Sequence, residues 1–186
     1  MGKDLSEMSL EELWQLFPIV LTEHQDIWAD YYLEMENILK TNLLGYKVKQ
    51  ISHIGSTAIK GIWAKPIVDI LVEIELNEHM DSISKKLIDI GFIKMSESEN
   101  RMSFNYGYTE NGFAKKVYHL HMRFAGDNDE IYFRDYMNMR QDLAHTYEKL
   151  KLELWHKFEH DRDGYTNAKS DWIRRYTAEA KYKLQI

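Results

Sequence analysis

The stretch HIGSTAIKGIWAKPIVDILVEI occupies residues 53–74, and its second half is the clearest β-strand in the chain. Every second residue from Val68 to Leu76 is apolar, whereas the intervening positions include the acids Asp69 and Glu73. Because side chains alternate across a strand, this pattern predicts a sheet with one packed face and one face open to solvent or a cleft. Glu73 is expected on a solvated part of that open face.

A bend of small residues, Gly55-Ser56-Thr57, precedes this strand. Glycine lets the backbone approach a ligand closely, and a Ser–Thr pair that opens a turn offers hydroxyl and amide hydrogens to phosphate oxygens. Asp69 is expected on the neighbouring strand, where a carboxylate suits a divalent metal beside that phosphate. Lys65 is a further candidate for contact with phosphate. The alternative is a purely structural turn with a helix N-cap.

The rest of the chain alternates between helix and strand periodicity. Ser9 and Glu12 form a capping-box pattern before a short helix that Pro18 ends, and Thr22 and Gln25 repeat that spacing. Helices are predicted over 23–40, from the cap Asn77 to Gly91, and over 132–140, 144–158 and 171–183; strands are predicted over 48–54, 66–76, 92–95, 102–108 and 113–124. This order predicts an α+β (α/β-like) fold, a small mixed sheet flanked by helices with a helical C-terminal third.

Two histidines add a second set of candidate ligands. His119 and His121 lie two residues apart, so they share one face of the strand 113–124. Two histidines and one carboxylate can hold a transition metal with open coordination positions. The spacing therefore predicts a metal site formed by Asp69, His119 and His121, with ordinary strand residues as the alternative.

Basic residues near the C-terminus are candidates for binding a negatively charged ligand. Arg162, Tyr165 and Lys169 are expected in a loop and in the turn before the last helix. Arg162 and Lys169 are natural partners of phosphate, so this segment is predicted either to reach over a phosphate ligand or to pack the last helix onto the core.

Composition excludes several classes of protein. With 186 residues, 44% hydrophobic and 29% charged, the chain suits one globular domain. The absence of cysteine excludes disulfides, thiolate metal sites and cysteine nucleophiles. A net charge of −6 argues against non-specific binding to nucleic acid. No apolar run approaches the roughly 18 residues of a membrane span, and the acidic N-terminus is unlike a secretory signal, so a cytoplasmic location is expected.

Five segments resemble the GrpB family, also called UPF0157, whose members look like members of the nucleotidyltransferase superfamily. The segments are HIGSTAIKGIWAKPIVD (53–69), HLH (119–121), FRDYM (133–137), YEKLK (147–151) and DRDGYTNAKSDWI (161–173). Their order and spacing fit across residues 19–175. The resemblance implies a nucleotidyltransferase-like domain over 19–186, with 1–18 as an N-terminal extension.

The superfamily pattern is a Gly-Ser pair, two acids two residues apart on a strand, and a third acid on a neighbouring strand. Gly55, Ser56 and Asp69 match this pattern, but Leu71 stands at the second acid position. Glu73 is four residues beyond Asp69, about 13 Å along a strand, which is too far to share a metal pair. The third acid position corresponds to the strand that carries the two histidines.

The resemblance implies three alternative functions. The leading one is a divergent nucleotidyltransferase that binds a nucleotide or another phosphate compound and transfers a nucleotidyl group to a small molecule or protein. In it Gly55, Ser56 and Thr57 hold phosphates, Asp69 holds magnesium or manganese (or zinc or another transition metal), and His119 or His121 completes the metal set or acts as a base. The second is a non-catalytic nucleotide- or metabolite-binding module, which Leu71 favours. The third is a metal-dependent hydrolase with a His/Asp site.

Overall fold

A computed structural model describes residues 5–184. Two short 3-10 helices lie at Leu5–Glu7 and Ser56–Ala58. The α-helices are α1 (Leu10–Leu16), α2 (Ile27–Asn42), α3 (Met80–Asp89), α4 (Asp129–Met139), α5 (Gln141–Phe158) and α6 (Arg162–Leu184). The strands are β1 (Val48–Ile54), β2 (Val68–Ile74), β3 (Ile93–Glu97), β4 (Arg101–Thr109) and β5 (Gly112–Phe124). None of these helices is both long enough and apolar enough to cross a membrane.

The strands form one mixed sheet in the order β1-β2-β5-β4-β3. β2 and β5 pair in parallel at its centre, and the other neighbours are antiparallel. In this register Asp69 lies between Ile54 of β1 and His119 of β5. The predicted small mixed sheet with flanking helices and a helical C-terminal part is confirmed.

The helices form two layers on either side of the central strands. The apolar face of β2 packs against α2 and α3, for example through Ile70, Val72, Leu39 and Leu87. A second apolar cluster joins α4, α5 and α6 to the segment after the Ser56–Ala58 helix. The other face of the sheet therefore meets the C-terminal helices across a cleft.

Several predicted helix starts differ from the structure. Ser9 and Glu12 do form a capping box at α1. In contrast, Thr22 and Gln25 make a 3.4 Å side-chain hydrogen bond without capping a helix, because α2 begins only at Ile27. The residue that precedes α3 is His79, so the prediction that Asn77 caps this helix was wrong.

The prediction that Glu73 lies on a solvated face was also wrong. Glu73 is 2% exposed. Its Oε1 accepts hydrogen bonds from the Gly126 amide at 3.0 Å and from Asn128 at 3.1 Å. Because these two residues connect β5 to α4, the buried carboxylate fixes the connection between sheet and helices.

The segment predicted as a loop before the last helix belongs to the helix itself. α6 begins at Arg162, and the Asp161 carboxylate accepts a hydrogen bond from the Gly164 amide at 2.8 Å. The first two turns lack apolar periodicity and contain a glycine, which is why the sequence pattern did not predict them. As a result, Arg162 and Lys169 lie on a rigid helix.

Candidate functional site

The small-residue bend and Asp69 touch each other. Gly55 has φ +72°, and a Cβ added to it would lie 2.2 Å from Asp69 Oδ2. A side chain is therefore excluded twice, by backbone conformation and by the carboxylate. Gly55, Ser56 and Asp69 line a cleft of about 580 Å³, whose opposite wall includes Lys169 of α6. The expected juxtaposition of bend and aspartate is present, and it is accessible from solvent.

Replacing Gly55 with Ala is expected to displace Asp69 and to destabilise the fold by about 2–3 kcal/mol. The matched control is Gly45→Ala, since Gly45 has φ +94° but nothing within 4 Å of the added Cβ. That control carries the backbone cost of about 1–2 kcal/mol alone. Urea unfolding of both variants measures the difference. Equal losses of stability would show that the contact with Asp69 imposes nothing on position 55.

A chain of hydrogen bonds runs from Asp69 through β5 and β4 to α6. Tyr108 Oη accepts from Arg162 Nη2 at 3.0 Å and lies 2.7 Å from His119 Nε2. The tyrosine proton is therefore directed to Nε2, and neutral His119 carries its own proton on Nδ1. Nδ1 lies 3.2 Å from Asp69 Oδ1 and donates to it.

Burial and hydrogen bonding set the charges in this chain. Burial lowers the pKa of His119, although Asp69 acts in the opposite direction, so the imidazole is neutral at pH 7. Burial acts to raise the pKa of Asp69, but the hydrogen bond from His119 and the nearby His121 ring outweigh it and hold this pKa below its usual range. Asp69 is therefore a carboxylate, and its side chain is 27% exposed.

A β-bulge brings Tyr108 to this chain. Regular alternation would place Tyr108 on the same face as Tyr106, which packs against the apolar core. The pairing of β4 with β5 is irregular between these two tyrosines, at Gly107. Gly107 has φ +86°, and a Cβ there would lie 2.3 Å from the Lys116 carbonyl oxygen. The bulge thus turns the Tyr108 side chain to the face that carries His119.

Three lysines from distant parts of the chain lie close enough for their charges to interact, and they form no ion pairs; Lys169 lines the cleft, whereas Lys65 and Lys151 lie near Lys169 without lining it. Lys65 and Lys169 both lie over the ring of Tyr165, with Nζ at 5.5 and 4.6 Å from its centroid. Lys151 is 1% exposed and donates to the Trp63 carbonyl oxygen. Within residues 5–184, none of the three has a carboxylate oxygen within 4 Å of its ammonium nitrogen.

Burial makes the protonated form of these three lysines unfavourable and lowers their pKa values. Burial, and then the charges of Lys169 and Arg162, lower the pKa of Lys65 to about 7. Burial and the charge of Lys169 lower the pKa of Lys151 to about 7, and burial lowers that of Lys169 to about 8. Such unpaired, mutually repelling cations are stabilised by an anion bound among them.

The side chains around Asp69 were candidates for metal ligands, and their arrangement decides whether they fit a metal ion. Among residues 5–184, no group of three or more His, Cys, Asp or Glu side chains is arranged to hold a metal ion. Asp69 Oδ1 is hydrogen-bonded to His119 and lies 3.8 Å from His121 Nε2. At the second acid position, Leu71 is completely buried. The donor set does not fit a two-metal centre, and the metal site of Asp69, His119 and His121 stays a prediction.

Thr57 and Arg134 lie next to His53 and do not line the cleft. Thr57 is 4% exposed, and its hydroxyl lies 2.9 Å from His53 Nε2, so it is not among the residues that line the cleft. Arg134 forms an ion pair with Asp135 and also donates to the His53 carbonyl oxygen at 2.7 Å, so it connects α4 to the end of β1.

Sequence reasoning missed Tyr108 and Lys151 as site residues. Lys151 lies in the YEKLK segment that carried part of the family resemblance, so a signal was present without an assigned role. Tyr108 had no signal, because the bulge that redirects it depends on the pairing of two strands.

The fold and the cleft can be compared with known proteins. "Glutamate-rich protein GrpB" of Alkalihalophilus pseudofirmus is 33% identical over 160 residues, which cover 83% of this chain and 91% of that protein. The UPF0157 protein YqkA of Bacillus subtilis is 28% identical over 178 residues, and the chain spans about half of its length (51%).

Two solved structures are also similar to this chain. The crystal structure of the conserved protein GrpB from Enterococcus faecalis has a TM-score of 0.75 and 26% identity, covering 88% of this chain and 98% of that one. The Cid1 poly(U) polymerase, solved with MgGTP bound, has a TM-score of 0.52 and 14% identity, covering 80% of this chain and 47% of that one. This second likeness shows a nucleotidyltransferase-like fold.

A family model matches most of the chain. The family model described as GrpB protein matches residues 18–179, which contain the bend, Asp69, both histidines and the lysines Lys65, Lys151 and Lys169. Because that match covers most of the chain and agrees with the sequence relative and with the GrpB crystal structure, the protein belongs to the GrpB family.

Proposed function

We propose that the cleft binds the phosphates of a nucleoside triphosphate and that the protein transfers the nucleotidyl group to an acceptor. One observation carries the proposal: Lys169 lines the cleft beside the contact between Gly55 and Asp69, and neither it nor the nearby Lys65 and Lys151 has a carboxylate partner among the described residues. A triphosphate supplies several negative charges in a row, which matches a set of cations that repel one another.

In this proposal each residue has a role that follows from its position. The Gly55-Ser56 bend admits a phosphate close to the backbone, and Lys65 and Lys169 neutralise charge that develops on departing pyrophosphate. Asp69 holds His119 in one tautomer and orientation. His119 and Tyr108 position the acceptor, and His119 is the group placed to take up a proton if the acceptor is one that must lose a proton, such as an alcohol.

The divalent metal predicted from the sequence enters this proposal as part of the substrate. Magnesium or manganese accompanies a triphosphate in solution as its counterion. No chemical step assigned here to the chain's own residues depends on a resident metal. Metal analysis of untagged protein tests the remaining prediction of a resident metal at Asp69, His119 and His121.

A second function, nucleotide binding without turnover, is favoured by Leu71. Its side chain is fully buried where the superfamily pattern requires an acid, so the cleft lacks the second carboxylate of that pattern. The same lysines would bind the triphosphate in a sensor. The two functions differ only in whether the α-phosphorus is attacked.

Binding and turnover are tested in sequence. Tripolyphosphate and the four nucleoside triphosphates, with and without magnesium, are expected to raise the melting temperature of the protein, because a ligand of the native state stabilises it by mass action. Lys169→Met should abolish this shift, whereas Lys85→Met, an exposed lysine on α3, should not. Pyrophosphate release from labelled triphosphate then identifies a transferase. Saturable binding without release identifies a sensor, and no binding by any of these compounds rejects both.

A further inference from the structure

A second and larger cavity lies between α1 and the sheet, next to the phosphate cleft. Its volume is about 1010 Å³. Its lining residues come from three places: the N-terminal segment, the strands β3 and β4, and the start of α6. His119 lines it as well, while its hydrogen-bond partner Asp69 lines the phosphate cleft. The hydrogen bond between these two residues therefore connects the two spaces.

We infer that this cavity binds a small carboxylic acid with an apolar body, which is the acceptor for the nucleotidyl group. The binding site stands on the geometry of the cavity alone, whereas the acceptor role rests on the proposed function. The described part of the segment interpreted from the sequence as an extension, residues 5–18, would then supply one wall of a substrate site.

The walls of the cavity are apolar and exposed on both sides. On α1, Leu10 is 58% exposed, and Leu13 and Trp14 also line the space. Across the cavity, Ile93 and Met95 of β3 are 46% and 57% exposed. Apolar side chains that face each other across an open space leave apolar surface in water, and an apolar ligand between them removes it.

The inner end of the cavity is polar and carries one unpaired cation. Arg162 lies over the rings of Tyr108 and Phe113, at 5.7 and 5.9 Å, and donates to the Tyr108 hydroxyl. Within residues 5–184, no carboxylate oxygen lies within 4 Å of its guanidinium nitrogens. Since a guanidinium binds a carboxylate through two parallel hydrogen bonds, the charge of this end fits an acid head group.

The outer rim carries charges of both signs. Glu110 and Asp163 are exposed carboxylates, and Lys94 forms an ion pair with Glu97. These groups are hydrated and add little to the choice of ligand. Selection for an acid therefore depends on Arg162 at the buried end.

A carboxylate acceptor gives a balanced transfer. One of its oxygens forms a bond to the α-phosphorus of the nucleoside triphosphate, and the bond between that phosphorus and the bridging oxygen to the β-phosphate breaks. The electron pair of the broken bond leaves with pyrophosphate, and the product is a mixed anhydride of the acid and the nucleotide. Because a carboxylate is already ionised at neutral pH, no proton has to be removed, and Arg162 and Tyr108 align the attacking group.

Three ligands of equal length but different head group test the site by calorimetry. Decanoate is expected to bind about tenfold more tightly than decanol, and decylamine more weakly still, because their heads differ only in complementarity to Arg162. Leu13→Asp, which places a charge on the apolar wall, is expected to weaken decanoate binding by about tenfold or more. The matched control is Leu33→Asp, since Leu33 is an exposed apolar residue of α2, on the other side of the sheet.

The outcomes separate this inference from the proposed function. No preference for decanoate over decylamine, or an equal effect of both leucine variants, overturns the carboxylate site even if nucleotides bind. If Leu13→Asp does not fold, the three-ligand comparison on the unchanged protein still decides. Decanoate-dependent pyrophosphate release supports the acceptor role. Selective decanoate binding without release from a protein that binds triphosphate supports the site and rejects the acceptor role.

Discussion

Asp69→Asn is expected to lower nucleotidyl transfer by about a hundredfold or more while leaving the binding of metal-free tripolyphosphate at pH 6.5 unchanged or tighter. The loss follows because the introduced amide can present its NH₂ group to His119, which releases the tautomer that Asp69 now fixes through its 3.2 Å hydrogen bond. The gain in binding follows because a negative charge beside the phosphates is removed. A general loss of structure would weaken binding as well as transfer, so it cannot produce this combination.

Pyrophosphate release and calorimetry with tripolyphosphate measure these two effects. Glu75→Gln serves as the control, since Glu75 is an exposed carboxylate just past the end of β2. It is expected to change neither quantity. Full turnover by the Asp69→Asn variant would exclude Asp69 from the mechanism, and weaker binding of tripolyphosphate would show that its charge supports the anion site.

Stability and triphosphate binding are expected to change in opposite directions between pH 7 and about 9.5. The folded-state pKa is about 7 for Lys65 and Lys151 and about 8 for Lys169, below the usual lysine value near 10.5. In this range the unfolded chain binds more protons than the folded one, so the free energy of unfolding rises with pH. Each lysine contributes at most about 1.4 kcal/mol per pH unit, and this contribution ends below pH 7, where both states are protonated.

The affinity for the anion falls as pH rises, because deprotonated lysines no longer attract phosphate. Affinity for metal-free ATP, whose phosphates are already ionised in this range, is expected to fall by about tenfold or more from pH 7 to 9.5. Urea unfolding without ligand and calorimetry with ATP measure the two trends. Lys169→Met should make both trends shallower, because Lys65 and Lys151 still titrate, whereas Lys85→Met should leave them as they are. If stability instead fell as pH rose from 7 to 9.5, the lysines would be charged in the ligand-free fold.

Much of the fold was predictable because its signals are local. The alternation of β2, the hairpin of β4 and β5 and the apolar periodicity of α2, α4 and α5 each depend on neighbouring residues. The contact between Gly55 and Asp69 was also expected, because Gly55, Ser56 and Asp69 match the superfamily pattern of a Gly-Ser pair followed by an acid on the next strand. The start of α6 was not predicted, because its stability comes from the Asp161 cap and from packing of Tyr165, which is 1% exposed.

The strands, most of the helices and the contact at the bend could be predicted from local sequence, because backbone preference and side-chain alternation act over a few residues. Tertiary structure alone decided that Glu73 is buried and that Tyr108 turns towards His119. It also decided that Lys65 and Lys151 come close to Lys169, which lines the cleft. These features depend on strand register and on packing between segments about 100 residues apart, as in the contact of Lys65 with the Tyr165 ring. Burial and neighbouring charge, which shift the lysine pKa values, exist only once those segments have met.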